Sequence, residues 1–179
     1  MNFFFLAFEW LALVFTLFVV SFIQLIKLIK ERKKLSKLRV QYLVVFLVIF
    51  LLTLFRSTTN KIIEKIDWQI FYNRRTEIVK KVIDQRLNPN VNWNNYVCEL
   101  PYEFPIVSNG GNDIGIYRNK KNGKTTVCFW VYRNYFDSPS THFVFTNDPI
   151  EIKTIEEKIK TNPTFNWKIE KNWYRTYGE

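Results

Sequence analysis

Charge in the first 55 residues is confined to Glu9 and one stretch from Lys27 to Arg39. Either side of that stretch lies an apolar run, Phe3–Ile26 and Val40–Phe55. Runs of this kind cannot stay in water, so they must be buried in a core or dissolved in a bilayer. The first is broken only by Glu9, Thr16, Ser21 and Gln24. As a helix it rises about 36 Å, enough to cross a hydrocarbon core of about 30 Å with some tilt. A cleaved signal peptide needs basic residues ahead of a short apolar core and small residues at the cut. Here no Lys or Arg precedes the run, and Lys-rich sequence follows it. The expectation is an uncleaved signal anchor.

The second run rises only about 24 Å as a helix, short for a span. Its flanking Arg39 and Arg56 can lay their stems along lipid and reach the headgroups. Thirteen of its sixteen residues are Val, Leu, Ile or Phe, which leaves no polar face to turn toward water. A second span is therefore expected.

Between the spans stand seven bases, Lys27, Lys30, Arg32, Lys33, Lys34, Lys37 and Arg39, against the single acid Glu31. Short loops rich in Lys and Arg stay in the cytoplasm because these residues resist translocation. After the second span only Arg56, Lys61 and Lys65 lie close by. The bias places residues 27–39 inside and both termini outside. Glu9 lies only about 9 Å along the helix from Phe3. It is expected at the outer interface, meeting water or Arg56. An intramembrane role is the speculative reading of that carboxylate.

Residues 57–88 read as a connecting amphipathic helix. Ser57-Thr58-Thr59-Asn60 offers a break or cap, and helical patterning runs from Lys61 to Leu87 until Pro89 stops it. Ile62, Ile63, Ile66 and Ile70 share one face; Phe71, Ile78 and Val82 share another. The first face suits a protein partner or self-association, the second a sheet. On that division, residues 72–179 are expected to fold alone, and residues 57–179 to be soluble but to self-associate. Arg74-Arg75 is expected on a solvated face.

From Pro89 the composition shifts to aromatics, Asn and turn residues. Strands are expected at Ile114–Arg118, Lys124–Tyr135 and Thr141–Thr146, with an edge strand within Val91–Leu100. Asn122-Gly123 supplies the positive φ angles of the first hairpin. In the strongest strand Val127, Phe129 and Val131 point one way and Cys128, Trp130 and Tyr132 the other. Asp137-Ser138-Pro139 is a turn. Asn147-Asp148-Pro149 caps a short helix carrying Ile152, Ile155 and Ile159. Phe165–Ile169 and Trp173–Tyr177 form a last hairpin around Lys171-Asn172. The fold class is α+β: two N-terminal transmembrane helices (residues 1–56), a connecting helix (57–88), and an extracytoplasmic antiparallel sheet of about four to six strands with a short helix (89–179).

The chemistry-bearing residues are few. The chain has one His and two Cys, too few for the common Cys/His zinc sites, and no cofactor is expected. Gly110-Gly111 precedes no helix, and the Asp spacing fits no calcium loop. His142 sits in a strand pattern with no nucleophile or acid at a telling spacing, so a structural role outranks that of general base. Cys98 and Cys128 fall in the segment placed outside. An oxidising compartment permits a disulfide there, closing a loop of about 30 residues and worth roughly 3 to 4 kcal/mol. The alternative keeps Cys128 as a core thiol. From Ser57 onward 18 bases face 14 acids, too mild an excess for nucleic acid.

These readings converge on a small two-pass protein of the cell membrane that presents a non-catalytic binding domain outside the cytoplasm. Its expected partners are the bilayer and a protein. Two rivals are an immunity or accessory protein of an envelope-acting toxin or secretion system, and a membrane-tethered enzyme using His142.

Overall fold

The computed structural model describes residues 3–30, 37–109, 111–132 and 139–178, with side chains from residue 11 onward. The basic-loop residues Arg32, Lys33 and Lys34, the turn residues Asp137 and Ser138, and the side chain of Glu9 lie outside the described residues. The elements are α1 (Phe3–Lys30), α2 (Lys37–Leu54), α3 (Arg56–Ile83), β1 (Val97–Glu99), β2 (Asp113–Arg118), β3 (Thr125–Tyr132), β4 (Ser140–Thr146), α4 (Pro149–Thr161), β5 (Trp167–Glu170) and β6 (Trp173–Gly178). The layout is α+β, with two apolar helices followed by a six-stranded antiparallel sheet and a short helix. Two compact units, Met1–Ile66 and Asp67–Glu179, divide the chain within α3.

In the first unit, Leu11–Lys30 and Lys37–Leu54 are long and apolar enough to cross a membrane. No side chain of α2 is buried by protein. Phe18 meets Phe50 across the two helices at 6.0 Å between ring centroids. Two threonine hydroxyls on these apolar surfaces are satisfied within their own helix. Thr16 Oγ1 donates to Ala12 O, and Thr53 Oγ1 to Ile49 O, each at 2.8 Å. This is how a Thr can be kept where water is absent. Lys27 and Lys30 occupy the last turn of α1, where cations complement the helix dipole. Lys37 and Arg39 open α2.

The expected break at Ser57–Asn60 does not form; those residues are helical. The joint between α2 and α3 is Phe55 alone. The ladder runs through it, from Phe55 N to Leu51 O at 2.9 Å and from Thr59 N to Phe55 O at 3.0 Å. Thr59 Oγ1 adds bonds to Leu52 O and Phe55 O, so its hydroxyl reinforces the joint rather than capping a new helix. Ile62, Ile63 and Ile66 are exposed on the α3 surface.

In the second unit the strand order is β1-β2-β3-β4-β6-β5, every pair antiparallel. Alternation along the strands gives the sheet two apolar faces. Ile114, Ile116, Val127, Phe129, Phe143 and Trp173 line the first, which α3 covers with Ile78, Val79 and Val82. Phe71 packs against the same cluster. Val144 and Tyr174 line the second, where α4 lays down Ile155 with Ile152 and Ile159. A register shift between Trp130 and Tyr132 breaks the expected row Cys128, Trp130, Tyr132. Tyr132 joins Val131 on the α3 side instead.

Three ends differ from expectation for local reasons. Helix α3 stops at Ile83, well before Pro89. Gln85 takes a left-handed φ of 60°, Gln85 N bonds Val82 O, and Arg86 N bonds Lys81 O. That is a Schellman termination, in which two carbonyls are satisfied by the reversing chain. In the β2–β3 loop only Gly123 has positive φ; Asn122 does not. The Asn122 side chain accepts from Lys124 N and donates to Asp148 Oδ1, so it ties the loop instead of turning it. The edge strand is short, and Asn90 closes it. Its side chain accepts from Glu99 N at 2.8 Å and donates to Glu99 O at 2.9 Å, filling main-chain positions another strand would use.

The division of α3 near residue 72 does not follow the packing. Trp68 sets its ring edge-on to Phe143 at 5.0 Å and to Trp173 at 4.9 Å. Arg75, expected in solvent, is 1% exposed. Its guanidinium donates to Val107 O from Nε and Nη2 and to Asp67 Oδ2 at 2.7 Å. It lies 4.9 Å from the Phe143 ring centroid. Only Arg74 is solvated, paired with Glu77 at 3.2 Å.

Candidate functional site

Helix α4 covers only part of its face of the sheet. Its start is fixed by Asp148, whose Oδ1 accepts from Ile150 N, and by Pro149 in the first turn. Asn119 and Asn122 of the β2–β3 loop donate to the two Asp148 oxygens at 2.7 and 3.0 Å. The helix is thereby moored beside that loop, and a groove of about 700 Å³ is left along it. Pockets of a few hundred to a thousand cubic ångströms are the usual size for small-molecule sites.

The floor comes from alternate residues of the central strands: Thr126, Cys128 and Trp130 from β3, His142 and Val144 from β4, and Thr176 from β6. Trp130 and His142 are register partners, as are His142 and Thr176. The α4 wall carries Glu151, Ile155 and Lys158. The other wall is Tyr117, stacked on Tyr96 at 5.1 Å. Gly115 makes that wall fit. A Cβ there would stand 3.1 Å from Tyr117 Cε2 and 3.4 Å from Cys128 Cβ, so the ring leans over a place only glycine leaves free. A glycine inside an apolar strand pattern, two residues before a Tyr, is the signal in the sequence by which this approach could have been found.

His142 is half-buried and meets Trp130 edge-on at 5.7 Å between centroids. Neither ring nitrogen is hydrogen-bonded among the described residues, and neither is sealed from solvent. Burial, with Lys158 and Arg175 nearby, pushes its pKa down to about 4. The ring is therefore neutral at pH 7, with one donor and one acceptor. Below about pH 6.5 the unfolded chain takes a proton at His142, while the folded chain does not until about pH 4. Stability present at neutral pH is lost as pH falls through that window. The solubilised protein is expected to lose about 2 to 3 kcal/mol between pH 7 and pH 4.5 from this group. His142→Gln should remove that part of the loss in thermal melts at the two pH values. An identical pH dependence in both proteins would contradict the assignment.

The cysteines are not bonded to each other. Cys98 lies opposite Ile114 on the α3 face, Cys128 opposite Gly115 on the α4 face, with β2 between them. Thiols on opposite faces and two strands apart cannot reach disulfide geometry, so the bridge that an oxidising compartment would permit is not made. Burial raises Cys128 to about 12, and burial with Asp113 and Glu99 raises Cys98 to about 11. Neither is a thiolate nucleophile at neutral pH. Among the described residues no three His, Cys, Asp or Glu come together as a metal cage. Of the residues singled out in the sequence, His142 and Cys128 meet in the groove and Cys98 stays apart from them. Tyr117, Thr176, Glu151 and Lys158 join the site without having been marked.

No protein-family model, curated protein or solved structure matches this chain.

Proposed function

We propose that this is a two-pass membrane protein that holds a non-catalytic binding domain outside the cytoplasm, with the α4 groove as its ligand seat. The observation that carries the reading is the pair His142 and Thr176. They stand side by side in the groove and neither uses its side-chain hydrogen-bonding groups on the protein among the described residues. His142 is half-buried and Thr176 buried; polar groups so placed without protein partners are costly, and a ligand that satisfies them recovers that cost. A binding role is favoured over acid–base chemistry because burial holds the His142 pKa at about 4, which makes it a weak base at neutral pH, and the Cys128 thiol of the same groove is held protonated. The orientation rests on the seven bases between the spans.

Topology is the testable half. In a protein lacking Cys98 and Cys128, single cysteines are placed at Ser36 and at Lys121, an exposed position in the β2–β3 loop. A membrane-impermeant maleimide on intact cells is expected to label the Lys121 position and to reach the Ser36 position only after permeabilisation. Labelling at the Ser36 position alone would put the sheet domain inside and overturn the reading.

A further inference from the structure

We propose that the α4 groove binds a neutral saccharide, a short run of pyranose rings lying along the sheet face; this rests on the groove being the ligand seat of the binding domain. The floor decides how a ligand can be read. It is formed by β3 and β4 in the sheet interior, whose main-chain groups are taken up by the sheet ladders and, at Trp130, by Ser108 and Asn109. A bound molecule meets side chains only. A peptide, which is commonly held through its backbone at a sheet edge, finds no such edge here, and Asn90 already occupies the outer side of β1.

The side chains that face the groove suit hydroxyls. Thr176 offers a hydroxyl that donates and accepts. His142 beside it offers two ring nitrogens with no partner among the described residues. Because the ring stays neutral at physiological pH, it presents a donor and an acceptor together rather than the two donors an anion would select. Adjacent sugar hydroxyls carry the same alternation. Glu151 and Lys158 stand two turns apart on the α4 wall with opposite signs, so the wall favours neither anion nor cation. Trp130 and the Tyr117–Tyr96 stack supply aromatic surface. The C–H face of a pyranose is apolar while its rim is polar, and that combination matches aromatic rings flanked by dual-character hydrogen-bonding groups. A cavity of about 700 Å³ accommodates an oligosaccharide of drug-like size.

The test uses the full chain solubilised in a detergent without a sugar headgroup, such as an amine oxide. Cellotriose, maltotriose and tri-N-acetylchitotriose are titrated by calorimetry, with the uncharged peptide N-acetyl-trialanine amide as the comparison. At least one saccharide is expected to bind, and the peptide not. Thr176→Val keeps the shape and removes the hydroxyl. It should weaken saccharide binding about tenfold, as should His142→Phe, each removing one hydrogen-bonding group from the ligand. Thermal melts that match the parent protein at pH 7 show that the variants are folded. If the folded protein binds none of the three saccharides, the inference is overturned. If it takes up the peptide and loses it on His142→Phe, the groove is a ligand seat but the ligand class is wrong. Saccharide binding indifferent to both substitutions would place the sugar elsewhere and overturn the proposal for this groove.

Discussion

Arg75→Ala is expected to unfold the sheet domain at temperatures where Arg74→Ala leaves it intact. The two arginines are neighbours in sequence and opposites in setting. Arg74 is exposed and makes one solvated ion pair with Glu77, worth little. Arg75 is buried, and its fork holds two distant pieces of the unit together, the Val107 carbonyl and Asp67. Truncating it opens a cavity against Phe129 and Phe143. It also leaves the Val107 carbonyl, on a residue 1% exposed, without its donors. The expected loss is about 3 to 5 kcal/mol, a large share of the stability of any small domain. Arg74→Ala should stay within about 0.5 kcal/mol. Arg75→Lys should fall between, since an ammonium keeps the charge but cannot fork. Near-ultraviolet circular dichroism reports the packing of aromatic rings, and five of the six Trp lie from Trp68 onward, so melts followed there separate the cases. Equal shifts from the two alanine changes would show that Arg75 is not buried as described.

Residues 72–179 expressed alone are expected to lack a cooperative melt, whereas residues 57–179 should show one. The shorter chain discards Asp67 and Trp68. Losing Asp67 strands the buried Arg75 charge without its carboxylate partner at 2.7 Å. Losing Trp68 removes the ring that sits against Tyr72, Phe143 and Trp173 at 5.3, 5.0 and 4.9 Å. Either loss costs about 3 to 5 kcal/mol, and the two together rival the stability of a domain this size. Near-ultraviolet dichroism and sedimentation of both chains decide it. A shorter chain that melts as cooperatively as the longer one would mean that the α3 contacts before Tyr72 are dispensable.

What could be read from the sequence is what is encoded locally. Val127, Phe129 and their alternation state a strand and its inner face. Asp148-Pro149 followed by Ile152, Ile155 and Ile159 states a capped amphipathic helix. Two long apolar runs state helices with no polar face. The missed features are those in which a residue's role is set by a partner far along the chain. Nothing near Arg75 announces the Val107 carbonyl 32 residues later. Gln85 is not a residue type that signals a left-handed turn, so Pro89 looked like the stop. The groove was hidden for a related reason. Periodicity says that α4 has an apolar face, but not that this face spans only part of the sheet. The width left uncovered depends on where the Asn119 and Asn122 amides hold Asp148.

The strand order also sets how the last hairpin is held. β6 lies between β4 and β5, so β5 has no place in the sheet until β6 has paired with β4 along Ser140–Phe145 and Trp173–Gly178. β5 and β6 therefore join the sheet as a hairpin through β6, the later-made strand innermost. Trp173 arrives in that step, and it is the ring that closes over Phe129, Phe145 and Trp68. Until then those rings lack the side chain that covers them. A chain cut before the β5–β6 hairpin therefore leaves these aromatic rings uncovered, an apolar surface of the kind that favours aggregation.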